Sequence, residues 1–502
     1  MRMHDLLEAA ARDKGTALAI IDHDGARHSW ADMAAGAAAA RAALAARGVR
    51  PGDRVVIVLE NSAAMLAWLF GASQLGAVVS PVNARLTGPE LERIVSHADA
   101  AAVVFTVDTG PAPRAHAEAF AAERAEGPVG AVAITVRPGA EALPPEDDPA
   151  RQVGILLYTS GTTGQPKGAM LSQTAMVASA AASREARDLV SDDLVYLALP
   201  MSHVFGLATI LAVTTTQAAA RLEARFDVAR LFAALDHEIT VLPAVPQMHA
   251  QLFHHARAQG ARRYQGRSLR YVSSGGAPLD PAWKREAEAF YGLPLQNGYG
   301  LTESASGVCM TRNALGDPDI SVGVPMLGSE LRVNLEAPGA SPAEGIGEVE
   351  VGGPQVMLGY FRDPVATAAA LTGDGWLRTG DLGRFDKDGR LHLVGRSKEM
   401  IIHSGFNVYP AEVEAALTEH PGVILAAVVG RRVEGNEEVV GFVTCTPEAG
   451  VSEEALRDFL RDRLAPYKVP SRIVIAGALP AAPTGKILKA QLLAHFAEAL
   501  EA

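Results

Sequence analysis

Short, continuous apolar runs alternate along this chain with longer, alanine-rich stretches whose apolar positions recur at helical spacing. Residues 1–50 read as helix-rich, with Leu6, Leu7 and several alanines on one face and a second helix over 30–47. Pro51-Gly52-Asp53 turns the chain into the strand VVIVLE, a helix over 63–75 follows, and 77–82 is again a strand. Strand, helix and strand at this spacing imply parallel strands with helices on their faces. The run 100–106 is one more strand, and 110–150, poor in large apolar residues, reads as a surface excursion. A strand over 153–157, a helix over 174–186 and a strand over 194–200 come next. YVSSGGAPL from Tyr271 and LQNGYGLTE from Leu295 then end in glycines and hydroxyls, as ligand-binding strand ends of a parallel sheet do. From Gly323 the short alternating segments GEVEVGG, GYFRDP and GRLHLVG predict a β-rich subdomain. Residues 397–502 alternate helix (410–417), strands (424–429, 439–444), helix (453–464) and strand (472–475), an α+β unit large enough to fold alone. The class is α/β: a large N-terminal domain of parallel αβ sheets plus a β-rich subdomain, then a small α+β C-terminal domain.

Composition narrows the partners. The 502 residues exceed one core, and 48% hydrophobic with 20% charged residues is an ordinary globular balance. A net charge of −12 argues against nucleic acid, which is held by a basic surplus. Cys309 and Cys445 make no disulfide framework and fit no metal-ligand spacing, so a cytoplasmic setting is the simplest. The N-terminus lacks the apolar core of a signal peptide, and Pro200, His203 and several threonines interrupt the most apolar stretch, so no transmembrane segment is expected.

One stretch has little to bury. YTSGTTGQPKGAM, residues 158–170, follows the apolar run 153–157 with glycines, hydroxyls, Pro166 and Lys167. Glycines let backbone N–H groups converge on phosphate oxygens; Ser160, Thr162 and Thr163 add donors and Lys167 a charge. The Walker-A pattern is excluded, because Pro166 stands where its second glycine belongs. A flexible linker is the bland alternative, and it explains neither the strand before the loop nor the Pro-Lys end.

YTSGTTGQPKG resembles the signature loop of the adenylate-forming (AMP-binding, acyl-CoA synthetase) superfamily, and later motifs agree in order, pointing to its acyl- or aryl-CoA ligase branch. The resemblance implies that Thr159, Ser160, Gly161, Thr162, Thr163, Gly164 and Lys167 bind ATP phosphates. It further implies that Gly275, Gly276 and Ala277 wall the adenine. Asn297, Gly298, Tyr299 and Gly300 border the nucleotide, with Tyr299 offering a flat face to the purine. Thr302 and Glu303 belong to the catalytic set, Glu303 offering a hard oxygen to Mg2+. Asp381 and Arg396 serve the ribose, Lys398 is the hinge, Ser404, Gly405 and Phe406 form the coenzyme A loop, and Lys486 is the catalytic lysine. His203, Val204, Phe205, Val245 and Gly300 are assigned to the acyl pocket. Domains of 1–396 and 397–502, the second mobile, follow from the same likeness, and a homodimer is compatible with it. Gln173 and Glu399 depart from residues usual in relatives. Singly, Asp381 reads as a turn aspartate, Glu303 as a helix-start acid and Lys486 as a surface lysine; six motifs in fixed order outweigh those readings. His203 is assigned to binding rather than proton transfer, and His254-His255 reads as helix surface.

The implied activity is ATP-dependent ligation of a carboxylic acid to coenzyme A through an acyl-adenylate, with ATP, Mg2+ and coenzyme A required. An alternative is a stand-alone adenylating enzyme that loads a carrier protein, although MSHVFGL lacks the aspartate usual in amino-acid-activating relatives. A luciferase-like oxygenase is not favoured by any motif, and a non-catalytic nucleotide module predicts losses at Glu303, Asp381 or Lys486 that are absent. Acetate-specific relatives carry Trp where this chain has Gly300, so the expected pocket runs on, walled by 201–207 and 244–248, toward a medium-chain fatty or aromatic acid.

Overall fold

The computed structural model describes residues 1–501 apart from 161–165, 277–278, 404–405, 434–435, 447–449 and 482–486, with backbone only for Ser160, Pro166, His237, Phe406 and Asn407. The chain divides into one unit of residues 1–278, 287–331 and 351–378 and another of residues 279–286, 332–350 and 379–502.

The first unit holds two sheets. At the middle of the eight-stranded one, Arg54–Leu59 is buried at every position and lies parallel to both Val78–Asn83 and Ala100–Phe105. Burial on both faces explains why this strand reads as a continuous apolar run. The second sheet carries Ala219–Leu222, Leu194–Leu197, Val241–Ala244, Tyr271–Gly275 and Leu295–Leu301 as parallel neighbours in that order. Ala63–Gln74 packs on strands of the first sheet, Val204–Thr216 on strands of the second, and Gln173–Ala186 touches strands of both. The helices Ala63–Gln74 and Val204–Thr216 are therefore apolar on all sides rather than amphipathic. Gln173 is fully buried: its Oε1 accepts from the Met3 amide at 2.9 Å and its Nε2 donates to Ser73 Oγ at 3.3 Å, so it braces the N-terminal helix.

The structure departs from the sequence reading at four places. Residues 1–50 contain a hairpin, Leu18–Ile21 with Arg27–Ser29, whose first strand joins Ala219–Leu222. The tract 110–150 is not mere surface: it forms the helix Pro111–Ala119 and the strand Val132–Val136, antiparallel to Ala100–Phe105, with Val132, Ala133 and Ile134 buried. The glycine-rich segment is flanked by two antiparallel strands, Val153–Ser160 and Pro166–Ser172, the second of which turns Ala169 and Leu171 inward. Gly359–Tyr360 pairs with Pro166–Ser172 in the eight-stranded sheet instead of contributing to the β-rich subdomain.

The second unit includes most of a four-stranded sheet ordered Glu330–Asn334, Gly347–Gly352, Leu377–Phe385, Leu391–Arg396. Beyond it, Val423–Val433 pairs antiparallel and Arg472–Ala476 parallel with Asn436–Cys445. The helices Pro410–Thr418 and Glu453–Arg461 close this sheet over a core that includes Val413, Leu417, Val428, Val443, Leu456 and Ile473. Among the described residues no helix is long and apolar enough to cross a membrane.

Asn61 fixes the turn that leaves Leu194–Leu197. Its buried amide donates to Leu199 O at 2.9 Å and its Oδ1 accepts from the Met201 amide at 2.8 Å. Asn61→Ala leaves both backbone groups buried without a partner, at a cost of about 2–4 kcal/mol. Scanning calorimetry is expected to show a midpoint several degrees lower, and an unchanged midpoint would refute the bracing role.

Candidate active site

Leu295–Leu301 lies parallel to Tyr271–Gly275, placing Gly298 beside Gly275, and then reverses through the 3-10 turn Thr302–Ser304 into Ser306–Met310. Two non-glycine residues complete that reversal at positive φ, Ala305 at 52° and Ser306 at 120°. Ser304 Oγ accepts from the Leu301 amide at 3.0 Å and donates to Ser306 O at 2.9 Å, while Ser179 donates to Ala305 O. Asn297 is buried within the scaffold, with Nδ2 donating to Ser321 O at 3.0 Å and its amide donating to Thr311 Oγ1 at 2.8 Å. Tyr299, Thr302 and Glu303 are half-buried where the sheet ends.

Glu303 is held at both ends. Its carbonyl accepts from the Met357 amide at 2.8 Å, and its Oε1 accepts from the Tyr360 hydroxyl at 2.7 Å. Burial, and next to it the Glu303 carboxylate, raises the Tyr360 phenol above its ordinary pKa, so it stays a proton donor. Lys167 Nζ stands 5.3 Å from the centre of the Tyr360 ring. Lys167, at the exit of the glycine-rich segment, and the YGLTE carboxylate thus meet through one aromatic side chain. Tyr360 was not singled out in the sequence, where GYFRDP looks like one more short strand. Across the ladder Thr159 faces Lys167, and Tyr158 Oη is 2.8 Å from His97 Nδ1, which anchors the strand into the loop.

A second group forms at neighbouring strand ends. Phe205, on the first turn of Val204–Thr216, stands with Cε1 3.2 Å from where a Cβ of Gly275 would lie, and Val245 Cγ1 is 3.9 Å from the same point on Gly276. Gly276 has φ +80°, a conformation that favours glycine. His203 caps the helix, with Nδ1 accepting from the Phe205 amide at 3.3 Å; its ring is solvent-accessible yet desolvated enough to lower its pKa. Behind Val245, His249 is fully buried, with Nδ1 2.7 Å from Tyr291 Oη and Nε2 3.2 Å from Ser273 O; burial lowers its pKa to about 4. Val204, Phe205, Val245, Gly275 and Gly276 are thus gathered at the carboxyl ends of parallel strands.

In the second unit, Arg396 Nε donates to Asp381 Oδ1 at 3.1 Å, with Asp381 largely buried and Arg396 half-exposed. Thr379 Oγ1 donates to Val349 O and accepts from the Asp381 amide, while the Gly380 amide donates to Glu348. Lys398 is exposed in the turn after Leu391–Arg396, where the Ser397 amide is tied to Gly380 O at 2.9 Å. Gly161, Thr162, Thr163, Gly164, Ala277, Ser404, Gly405 and Lys486 lie outside the described residues, as do the side chains of Ser160 and Phe406.

Gly300 differs from expectation. A Cβ built on it would lie 1.9 Å from Ser306 O and 2.6 Å from Gly307 Cα, and the register shifts between Tyr299 and Gly300. The space beside Gly300 is backbone of the returning strand, so an indole cannot enter there without parting the two strands.

The sequence profile of the AMP-binding enzyme family matches residues 7–361, and that of the AMP-binding enzyme C-terminal domain matches residues 412–486. The chain is similar to a feruloyl-CoA synthase from Amycolatopsis, 36% identical over 487 residues and 95% of each chain. It is also similar to the long-chain-fatty-acid–CoA ligase FadD13 of Mycobacterium tuberculosis, 32% identical over 94% of this chain and 93% of that protein. Its fold matches ATP-bound MatB from Rhodopseudomonas palustris with a TM-score of 0.83 at 29% identity, over 99% of both chains.

Gly300→Ala drives a Cβ into backbone and is expected to cost about 3 kcal/mol or more, as severe overpacking does. Gly380→Ala, at φ +72° but in open space, costs only the left-handed strain of about 1–2 kcal/mol. Denaturant titration of the two variants checks this order, and equal losses would overturn it.

Proposed function

The chain belongs to the AMP-binding enzyme family as an AMP-forming acid–thiol ligase that uses ATP and coenzyme A, and we propose that it activates a medium-chain fatty or aromatic carboxylic acid. What carries this reading is Glu303, clamped by Tyr360 and Met357, facing the Lys167 end of the phosphate loop at strand ends that also present Phe205 and Val245. A carboxylate is a poor acyl donor because its leaving group would be oxide. In the proposed first step its oxygen attacks the α-phosphorus of ATP in line, the bond to the β-phosphate breaks, and pyrophosphate leaves. Such chemistry depends on positioning and neutralised charge.

Lys167, with Thr159, Ser160 and the 161–164 loop, takes the departing phosphates; Tyr299 stacks on the adenine; Thr302 donates to the α-phosphate; Asp381 accepts from the ribose hydroxyls with Arg396 beside it. Glu303 suits Mg2+ by the chemistry of its donor: a half-buried hard carboxylate that accepts, among the described residues, from a neutral phenol rather than a cation. Mg2+ bound there would neutralise phosphate charge. Lys486 bridges the carboxylate and the α-phosphate. In the second step the coenzyme A thiolate attacks the adenylate carbonyl and AMP departs, with residues 397–502 rotating about Lys398 to bring the 404–406 loop in. The apolar side chains of Phe205, Val204 and Val245 favour an acyl group longer than acetate, each buried methylene being worth about 0.8 kcal/mol. A cytoplasmic setting accords with two free cysteines.

Pyrophosphate release across fatty and aromatic acids, with and without coenzyme A, tests the reading; release that needs no acid would defeat it. Lys486→Ala is expected to lower adenylation about 10²–10³-fold while sparing thioester formation from supplied acyl-adenylate, as loss of one preorganised charge contact does. Equal losses in both half-reactions would remove Lys486 from the catalytic role. Lys398→Pro restricts the hinge dihedrals and is expected to do the reverse. Should adenylation fail as badly as thioester formation, the hinge lies elsewhere.

A further inference from the structure

Lys489 opens the helix Lys489–His495, three residues beyond Lys486, and its ammonium sits between two carboxylates. Its Nζ lies 2.8 Å from Glu414 Oε1 and 3.0 Å from Glu399 Oε2, the second pair spanning 90 positions of chain. Burial works against the charge on Lys489, but the two carboxylates outweigh it and its pKa is raised. Glu414 Oε1 also accepts from the Val428 amide at 2.7 Å, so the pair is rooted in the strand Val423–Val433 as well as in the helix Pro410–Thr418. A lysine between two acids is most often a brace between neighbouring elements. What distinguishes this one is where its two ends lie.

Glu399 is the residue that follows Lys398. In the turn that holds both, the amides of Glu399 and Met400 each donate to Arg396 O at 3.0 Å. Upstream of Lys398 the chain is bound to the four-stranded sheet, through Arg396 on Asp381 and the Ser397 amide on Gly380 O. Downstream, the exposed Glu399 carboxylate is joined to Lys489. At the other end of the tie, the described residues that flank 482–486 are paired. Ala481 and Ile487 form an antiparallel bridge, and the Leu488 amide donates to Pro480 O at 2.9 Å. Ile487 packs against a core that includes Val440, Phe442 and Leu492. Lys489 comes next in the chain, so one ammonium joins the residue after the hinge to the base of the segment that carries Lys486.

We propose that Lys489 is a positioning residue for adenylation: through Glu399 and Glu414 it ties the segment carrying Lys486 to the downstream side of the hinge, so that a turn about Lys398 moves Lys486 as part of one rigid body. This rests on the ligase reading above, in which Lys486 acts in the first half-reaction and Lys398 is the hinge. Without the tie, the base of that segment is left to Ala481, Ile487 and Leu488, and Glu399 is free of the body it leads. A displacement of about 1 Å in a catalytic group is enough to cost about 10²-fold in rate. The groups assigned to ATP, among them Lys167, Tyr299 and Asp381, do not touch Lys489, and attack by coenzyme A does not use Lys486. The effect therefore falls on the rate of one half-reaction and not on nucleotide binding.

The test takes the best acid of the fatty and aromatic panel and measures single-turnover pyrophosphate release with ATP, then thioester formation from the supplied adenylate of that acid with coenzyme A. Lys489→Met is expected to slow pyrophosphate release about 10- to 100-fold, with KM for ATP and thioester formation little changed. Lys489→Arg is expected to recover most of the rate. Glu399→Gln, a change at an exposed carboxylate that spares the fold, is expected to show the same split in smaller measure, and it carries the test should Lys489→Met fail to fold. The double variant is expected to be no slower than Lys489→Met alone, because both changes break one tie. A bracing role alone would slow both half-reactions alike or neither, and either result overturns the proposal, as do additive losses in the double variant. A full chain that performs both half-reactions while its variants show no split sinks only the tie; no pyrophosphate from the full chain with any acid sinks the ligase reading and the tie with it.

Discussion

The backbone of Gly300 and that of Ser306–Gly307 approach so closely that no Cβ fits between them, and the placement of Thr302 and Glu303 depends on that contact. It lets Leu295–Leu301 fold back within a few residues, so a hydroxyl and a carboxylate are presented at a sheet end instead of being buried in a continuing strand. The reversal has a cost: Ala305 and Ser306 at positive φ store about 1–3 kcal/mol each. Ser304 Oγ, Ser179 and the Met357 amide offset it with hydrogen bonds of about 1 kcal/mol apiece. Strain held in place by surrounding bonds is what a preorganised site requires, because a Glu303 free to swing would lose its fixed relation to Tyr360 and Lys167.

Much of this fold is legible because its central strands are buried on both faces. VVIVLE, LVYLALP and VVGFVT are continuous apolar runs, and their positions in the structure agree with the sequence reading. The elements that escape are those whose stability comes from a neighbour. Arg27–Ser29 has only exposed and half-buried residues, and Gly359–Tyr360 is two residues long. Val132–Val136 is hidden in an alanine- and proline-rich tract, although its first three residues pack as tightly as any core. Local propensity carries no record of such pairings.

For the candidate site, the glycine and hydroxyl clusters of YVSSGG and NGYGLTE fall at strand ends, as read from the sequence. What they do not show is which distant residues complete the geometry. Tyr360 reaches Glu303 across 57 positions. Gly300 looks like an open pocket when compared with a tryptophan-bearing relative, yet a register shift in the hairpin turns it into a backbone contact. Arg187 is buried in the charge-rich run SREARD, and burial of one arginine there is a tertiary fact.

Any rotation of residues 397–502 about Lys398 has to contend with Tyr409. Its ring is 4% exposed in a small cluster with Ile346 and Leu382, against which Val394 and Met400 pack, and its hydroxyl donates to Gly339 O at 3.0 Å. Undocking one such aromatic exposes apolar area worth about 2–3 kcal/mol and a hydrogen bond worth about 1 kcal/mol. A barrier component of that size is compatible with motion on the microsecond-to-millisecond scale. It also sets a condition on the second half-reaction. A ligand moves a two-state equilibrium only by its differential affinity for the two states. Contacts made with the adenylate and coenzyme A in the rotated arrangement therefore have to replace what Tyr409 gives up. Tyr409 follows the 404–406 segment by only three residues, so the segment proposed to receive coenzyme A is tethered to the side chain that the proposed rotation would have to release.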